Sequence, residues 1–193
     1  MTITSICVFC GSSTGVDPQH REHAFAFGRM LAARGVTLVS GGGRIGLMGA
    51  VADAVMEGGG KAIGIIPAYL NEIEVGHAGL SELIICNSMH ERKVEMFRRA
   101  DAFVTLAGGL GSLDEVFEAL TLRQLGIHDK PVVFFNALGY WDRCFAMIDG
   151  LIEQGFARPA HRNLYSVARS LDEIFELLEQ EQPPRFDPRE KLF

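Results

Sequence analysis

No stretch of this chain approaches the roughly 20 continuous apolar residues that a membrane helix needs, and no block of lysines and arginines offers a track for a nucleic-acid backbone. Basic residues number 18 against 24 acidic ones, and the formal net charge of −6 counts against a general nucleic-acid binder. Met1-Thr-Ile-Thr-Ser5 has no basic region ahead of a long apolar run, so it reads as the start of a folded strand and not as a signal peptide. Cysteine occurs only at Cys7, Cys10, Cys86 and Cys144. Cys7 and Cys10 have redox or zinc spacing, but they lie in a strand pattern where residues three apart face opposite sides. The second pair that a zinc site wants is missing. Buried or loop-edge thiols are the expectation, and reduced cysteines fit the cytoplasm.

What remains is an ordinary soluble composition, 48% apolar and 22% charged over 193 residues, enough for one domain with a substantial core. Short apolar runs alternate with helical periodicity almost throughout. Strands are expected at Ser5–Phe9, Val36–Ser40, Lys61–Ile66, Leu83–Cys86, Ala102–Leu106 and Pro131–Phe135. Helices are expected near 19–34, from about 46 through Glu57, and over Met89–Ala100, Ser112–Leu125, 141–154 and 170–180. Residues 68–79 show no period and read as a loop near the ligand. The alternation predicts an α/β fold: a Rossmann-like, doubly wound parallel sheet in a three-layer α/β/α sandwich, a single domain over 1–181. Prolines at 183, 184 and 188 set off a C-terminal tail, 182–193, that is mobile or lies on a partner.

Ligands of such sheets bind at the carboxyl ends of the strands. Glycine loops at 11–15, 41–46 and 108–111 all follow strands and should crowd one edge, which makes Gly11, Ser12, Gly42 and Gly43 candidate contacts. The third loop is the most informative. Gly108-Gly109-Leu110-Gly111 lets a ligand approach the backbone closely, and a helix expected to open at Ser112 supplies free N–H groups suited to a phosphate. No P-loop is present, and Gly41-Gly-Gly-Arg-Ile-Gly46 is a weak dinucleotide signal because Ile66-Pro67 stands where the ribose-binding acid belongs. Glu115 has two readings: a carboxylate placed against the ligand, or the distal member of a capping box begun by Ser112. Arg92 also has two: a phosphate or leaving-group contact, or a surface pair with Glu95. His20, His23, His90 and His128 have no partners that make a metal site or a base.

Taken in order, four segments resemble the LONELY GUY (LOG) family of phosphoribohydrolases: Gly41-Gly-Gly-Arg-Ile-Gly-Leu-Met-Gly49, Met89-His-Glu-Arg-Lys93, Ala107-Gly-Gly-Leu-Gly-Ser-Leu-Asp-Glu115 and Gln124-Leu-Gly-Ile-His-Asp-Lys-Pro131. The resemblance spans about Ile6 to Gly155. It implies hydrolysis of the N-glycosidic bond of a nucleoside 5′-monophosphate, giving free base and ribose 5-phosphate, with an N6-prenylated adenine or adenine as the base. It places catalytic roles on Arg92 and Glu115. Substrate-binding roles fall on Glu74, Met89, Lys93, Gly108, Gly109, Leu110, Gly111, Ser112, Leu113, Asp114 and Thr121. It implies no metal or organic cofactor and a homodimer with sites near the interface. Two positions depart from the family pattern. Ala107 replaces a proline, which frees the residue before the double glycine, and Ser112 replaces a threonine but keeps the hydroxyl. A non-catalytic nucleotide-binding module on the same fold is the alternative. A pyridoxal-phosphate decarboxylase has no lysine in a recognisable cofactor motif.

Overall fold

A computed structural model describes residues 3–73 and 76–180. Glu74 and the tail at 182–193 therefore lie outside the described residues. The elements run β1 (Ser5–Phe9), α1 (Pro18–Ala33), β2 (Thr37–Ser40), α2 (Gly46–Glu57), β3 (Ala62–Pro67), α3 (Ala68–Ile73), β4 (Glu82–Cys86), α4 (Met89–Arg99), β5 (Ala102–Thr105), α5 (Leu110–Gln124), β6 (Val132–Phe135), α6 (Asp142–Glu153), a 3-10 turn (Pro159–Leu164), β7 (Ser166–Ala168) and α7 (Leu171–Glu179). The strands form one seven-stranded sheet in the order β4-β3-β2-β1-β5-β6-β7, every pairing parallel. The chain winds outward from β1 to one side through β4, crosses back along α4, and winds out on the other side from β5. That reversal puts a crevice at the carboxyl ends of β1 and β5.

The sheet is apolar on both faces, and two packed layers cover it. Phe27 and Leu31 of α1, Val51 and Val55 of α2, and Ile174 and Phe175 of α7 meet one face. Met96 and Phe97 of α4, Val116 and Leu120 of α5, and Trp141 beside α6 meet the other. Cys7 and Cys10 fall into opposite layers, as alternation along β1 requires, and all four cysteines are free thiols. Phe9 stacks on Phe103 at 5.7 Å, and Phe97 closes on both rings. Each fully buried side chain of this size contributes roughly 1.5–3 kcal/mol, so this layer holds β1, β5 and α4 in a fixed relation beneath the crevice.

Three short elements depart from the sequence reading. α3 is a six-residue helix within the segment read as a loop, too short to show a period. The 3-10 turn and β7 fall in 155–169, where no element was expected. β7 is only three residues long, and its pairing with β6 rather than its composition makes it a strand.

Candidate active site

A cleft of about 370 Å³ opens between the loop after β1 and the start of α5. Cys10, Gly11, Ser12 and Ser13 form one side, and Gly109, Leu110, Gly111 and Ser112 face them. Arg92, Asp114 and Glu115 supply its charges, and Met48, Leu70 and Met89 its apolar wall. A larger groove of about 570 Å³ runs alongside between α1 and α2 and shares Ser13, but it contains neither Arg92 nor Glu115.

The loop and helix start differ from the expectation in a way that removes the capping-box reading of Glu115. α5 begins at Leu110, not Ser112, with extended Gly109 (φ −97°, ψ −152°) at the N-cap and its carbonyl accepting from Leu113 N at 3.1 Å. Ser112 is therefore the third helical residue, and no side chain caps the helix. The capping box does not form. Its physical cause is the glycine pair, which lets the chain enter the helix two residues early. Ser112 is buried under Gly108, where an added Cβ would come within 2.1 Å of its Oγ. The first-turn N–H groups of α5 have no intrahelical acceptor, and the residues that carry them, Leu110, Gly111 and Ser112, line the cleft. Glu115 lies one turn further on, on the face shared with Gly111 and Ser112, and its side chain tilts back toward the helix N-terminus.

Arg92 is not a surface residue. It is 4% exposed, and its Nε donates to the Ile65 carbonyl at 3.1 Å and its Nη2 to the Gly41 carbonyl at 2.8 Å. Nη1 points to Met89 Sδ at 3.7 Å. Glu95, the surface partner considered for it, is taken by Arg98 and Arg99, whose hydrogen bonds hold its carboxyl at about 2. The position of α4 follows from a true cap: Ser88 Oγ accepts from Glu91 N at 3.1 Å, and the Glu91 carboxylate accepts from Asn87 N at 2.8 Å. Gly41 makes the guanidinium's place possible, because a Cβ there would lie 1.7 Å from Nη2. Among the described residues the three hydrogen-bond partners of Arg92, Ile65 O, Gly41 O and Met89 Sδ, are neutral.

Glu115 makes itself felt on the thiols below. Burial first, and then this carboxylate, push Cys10 and Cys7 well above the usual thiol range. Both stay protonated at neutral pH, which removes a thiolate nucleophile from the cleft. Lys93 does not line the cleft. Its Nζ binds Glu118 at 2.5 Å and Asp114 at 3.0 Å. Burial pulls this ammonium down, but the two carboxylates outweigh it and leave it above its ordinary value.

The remaining candidates divide. Gly11, Ser12, Met89, Gly109, Leu110, Gly111, Ser112 and Asp114 join Arg92 and Glu115 around the cleft. Gly108 lies behind the loop, in a small void of about 130 Å³. Leu113 packs into the core layer under α5. Thr121 is exposed and donates to Phe117 O within its own helix. Gly42 (φ +75°) and Gly43 do not line the cleft: Gly42 O accepts from His77 N at 2.9 Å, and Gly43 bridges to Gly76. They anchor the chain after α3, where His77 also binds Asp53 at 2.8 Å. Cys10, Ser13, Met48 and Leu70 line the cleft, although the sequence did not mark them as contacts. Cys10 and Ser13 flank the first glycine loop, so their place at a strand end was a usable signal.

A family model described as "possible lysine decarboxylase" matches residues 48–180. A probable cytokinin riboside 5′-monophosphate phosphoribohydrolase of Oryza sativa subsp. japonica is 48% identical over 178 residues, covering 92% of this chain and 78% of the relative. A cytokinin riboside 5′-monophosphate phosphoribohydrolase of Arabidopsis thaliana is 43% identical over 182 residues, covering 94% and 83%. Among solved structures, a molybdenum cofactor binding protein of Rippkaea orientalis superposes with a TM-score of 0.71 at 23% identity, over 93% of this chain and 97% of that one. The single-stranded-DNA-binding DNA processing protein A of Helicobacter pylori gives 0.60 at 14%, over 90% and 79%. At such identities these two likenesses concern the fold.

Proposed function

The chain belongs to the LONELY GUY (LOG) family of phosphoribohydrolases, and from that premise we propose that it hydrolyses the N-glycosidic bond of an N6-modified adenosine 5′-monophosphate or of AMP, releasing the free base and ribose 5-phosphate. The observation that carries this reading is one cleft that holds the buried Arg92 guanidinium, the Glu115 carboxylate and the uncapped N-terminus of α5. A 5′-phosphate fits the N–H groups of the Gly109–Ser112 turn, where the helix dipole favours an anion. Holding it fixes C1′ relative to the carboxylate, so that binding energy from a remote group helps the reaction.

Departure of the base builds positive charge on the ribose ring and negative charge on the purine. Glu115 opposes the first, and it also orients the attacking water. Arg92 opposes the second electrostatically, since a guanidinium is too weak an acid to hand over its proton. Water adds its hydroxyl to C1′, and its proton ends on the base. Met48, Leu70 and Met89 give the base and its N6 substituent an adaptable apolar wall. Lys93 acts through Asp114. Decarboxylase chemistry is disfavoured because none of Lys61, Lys93 and Lys130, the lysines among the described residues, lines the cleft, and the amine of Lys93 is bound by two carboxylates.

Residues 1–181 carry the activity in this reading, as a cytoplasmic homodimer. Free thiols fit that compartment, and light scattering tests the dimer. The deciding assay is free-base release from AMP and from isopentenyladenosine 5′-monophosphate, with the unphosphorylated ribosides as controls. Release from the monophosphates alone supports the proposal, and their ratio ranks the bases. Nucleotide binding without release from either would replace it with a non-catalytic binding module.

A further inference from the structure

Resting on that reading of the cleft, we propose that Tyr140 is a positioning residue for the monophosphate, acting through the carbonyl of Gly108. The Tyr140 hydroxyl donates to Gly108 O at 2.7 Å across 32 residues of sequence. A trans peptide plane sets its C=O and the next N–H in opposite directions. Drawing the Gly108 carbonyl toward Tyr140 therefore turns the Gly109 N–H away from it, toward the cleft that Gly109 lines. The preceding carbonyl, of Ala107, is held by Gly11 N at 2.9 Å. Two successive peptide planes are thus pinned at the entrance to α5.

The tyrosine itself is firmly mounted. Gly139 takes φ +67° in the turn after β6, Asn136 Oδ1 accepts from Trp141 N at 2.8 Å, and Asn136 Nδ2 donates to Asp142 Oδ1 at 2.7 Å. The Tyr140 ring stands edge-on to His20 at 5.3 Å and to Trp141 at 4.9 Å. Behind the loop lies the void of about 130 Å³, bounded by Ala107, Gly108, Gly109 and Tyr140. Alanine at 107 leaves φ free where the family pattern has a ring. The phenol hydroxyl supplies the restraint instead.

The test is Tyr140→Phe, which keeps the ring in its aromatic setting and removes only the donor. Three readouts are needed: KM and kcat for the hydrolysed monophosphate, the Kd of ribose 5-phosphate by calorimetry, and the thermal midpoint. The expected result is a rise of about three- to tenfold in both KM and Kd, the effect of one hydrogen bond, with kcat unchanged and the midpoint lowered by no more than a few degrees. Unchanged KM and Kd would overturn the proposal. So would an equal loss of affinity for adenine, which carries no phosphate, since that is a structural role. If the wild-type protein releases no base but Tyr140→Phe still weakens ribose 5-phosphate, the hydrolase reading fails and the positioning role stands.

Discussion

Gly41→Ala tests whether Arg92 must sit where it does. Gly41 has no left-handed φ, so the backbone accepts alanine. The three atoms nearest to the added methyl all belong to the guanidinium: Nη2 at 1.7 Å, Cζ at 2.7 Å and Nε at 3.2 Å. Arg92 must therefore give up its bond to the Gly41 carbonyl and shift from that of Ile65. Hydrogen bonds from a charged donor are worth about 1.5–3 kcal/mol each, and hydration in the cleft returns part of that. A loss of about 2–3 kcal/mol in urea unfolding is expected. Turnover should fall by about a hundredfold or more, because displacement by about 1 Å can cost that much. In an Arg92→Ala background the collision is gone, and the same alanine should stabilise by about 0.4–1 kcal/mol through the unfolded chain. The two substitutions are thus strongly non-additive. Equal destabilisation in both backgrounds would mean that the methyl meets something other than Arg92. Full turnover by Gly41→Ala would mean that the guanidinium's place does not matter.

Glu115→Gln should lower base release by about a hundredfold or more while changing stability far less, because Ser112 and Glu115 form no cap. Ser170→Ala should do the reverse, costing about 1 kcal/mol by removing the cap of α7 without touching turnover. Full activity in the first variant, or lost activity in the second, would contradict this assignment. His128 gives a pH signature. Burial holds it at about 4, with Nε2 donating to Ala119 O and Nδ1 accepting from Lys130 N, so the folded state keeps it neutral. An unfolded histidine binds its proton near pH 6.5. Stability should therefore fall as pH drops from about 6.5 to 4, by about 1–2 kcal/mol after allowing for partial exposure, and level off below that. His128→Gln should flatten that slope in urea titrations, and an unchanged slope would refute the assignment.

The tetrapeptide Ser-Leu-Asp-Glu occurs twice, at 112–115 and at 170–173, and shows where sequence reading stops. At 170–173 it forms the cap that its pattern predicts: Ser170 Oγ accepts from Glu173 N at 3.2 Å, and Glu173 accepts from Arg169 N at 2.6 Å. At 112–115 the same residues lie inside the helix, because Gly108-Gly109 starts α5 earlier. Local chemistry is identical, and the preceding glycines decide the outcome. The sheet was legible because each buried parallel strand is a continuous apolar run and each covering helix keeps its period. α3, the 3-10 turn and β7 were not, since three to six residues cannot display a period. Arg92 was ambiguous for another reason. Its partners are the carbonyls of Gly41 and Ile65, distant in sequence, and no side-chain pattern reports a bond to a backbone oxygen.

Burial of an arginine is not itself a functional mark, and this chain supplies its own control. Arg123 is as buried as Arg92, at 4% exposure, and it too donates to a carbonyl, that of Leu164 at 3.2 Å. It fastens α5 to the 3-10 turn, away from the cleft, and burial lowers its pKa despite the nearby Asp129. Desolvating a guanidinium costs several kcal/mol before its bonds repay any of it. At Arg123 the return is the docking of an element. At Arg92 the partners are a glycine loop and a strand end, both already held by the sheet, so packing gains little from the charge. What the position does provide is a fixed cation, neutral-partnered among the described residues, on the wall of a cleft that also holds a carboxylate and a helix N-terminus. The sheet itself is shared, at a TM-score of 0.71, with a molybdenum cofactor binding protein, so the architecture does not choose the chemistry. In the proposed reading the choice lies with the three constraints that converge on the cleft: Gly41 making room for Arg92, Gly109 opening α5 early, and Glu115 one turn beyond it.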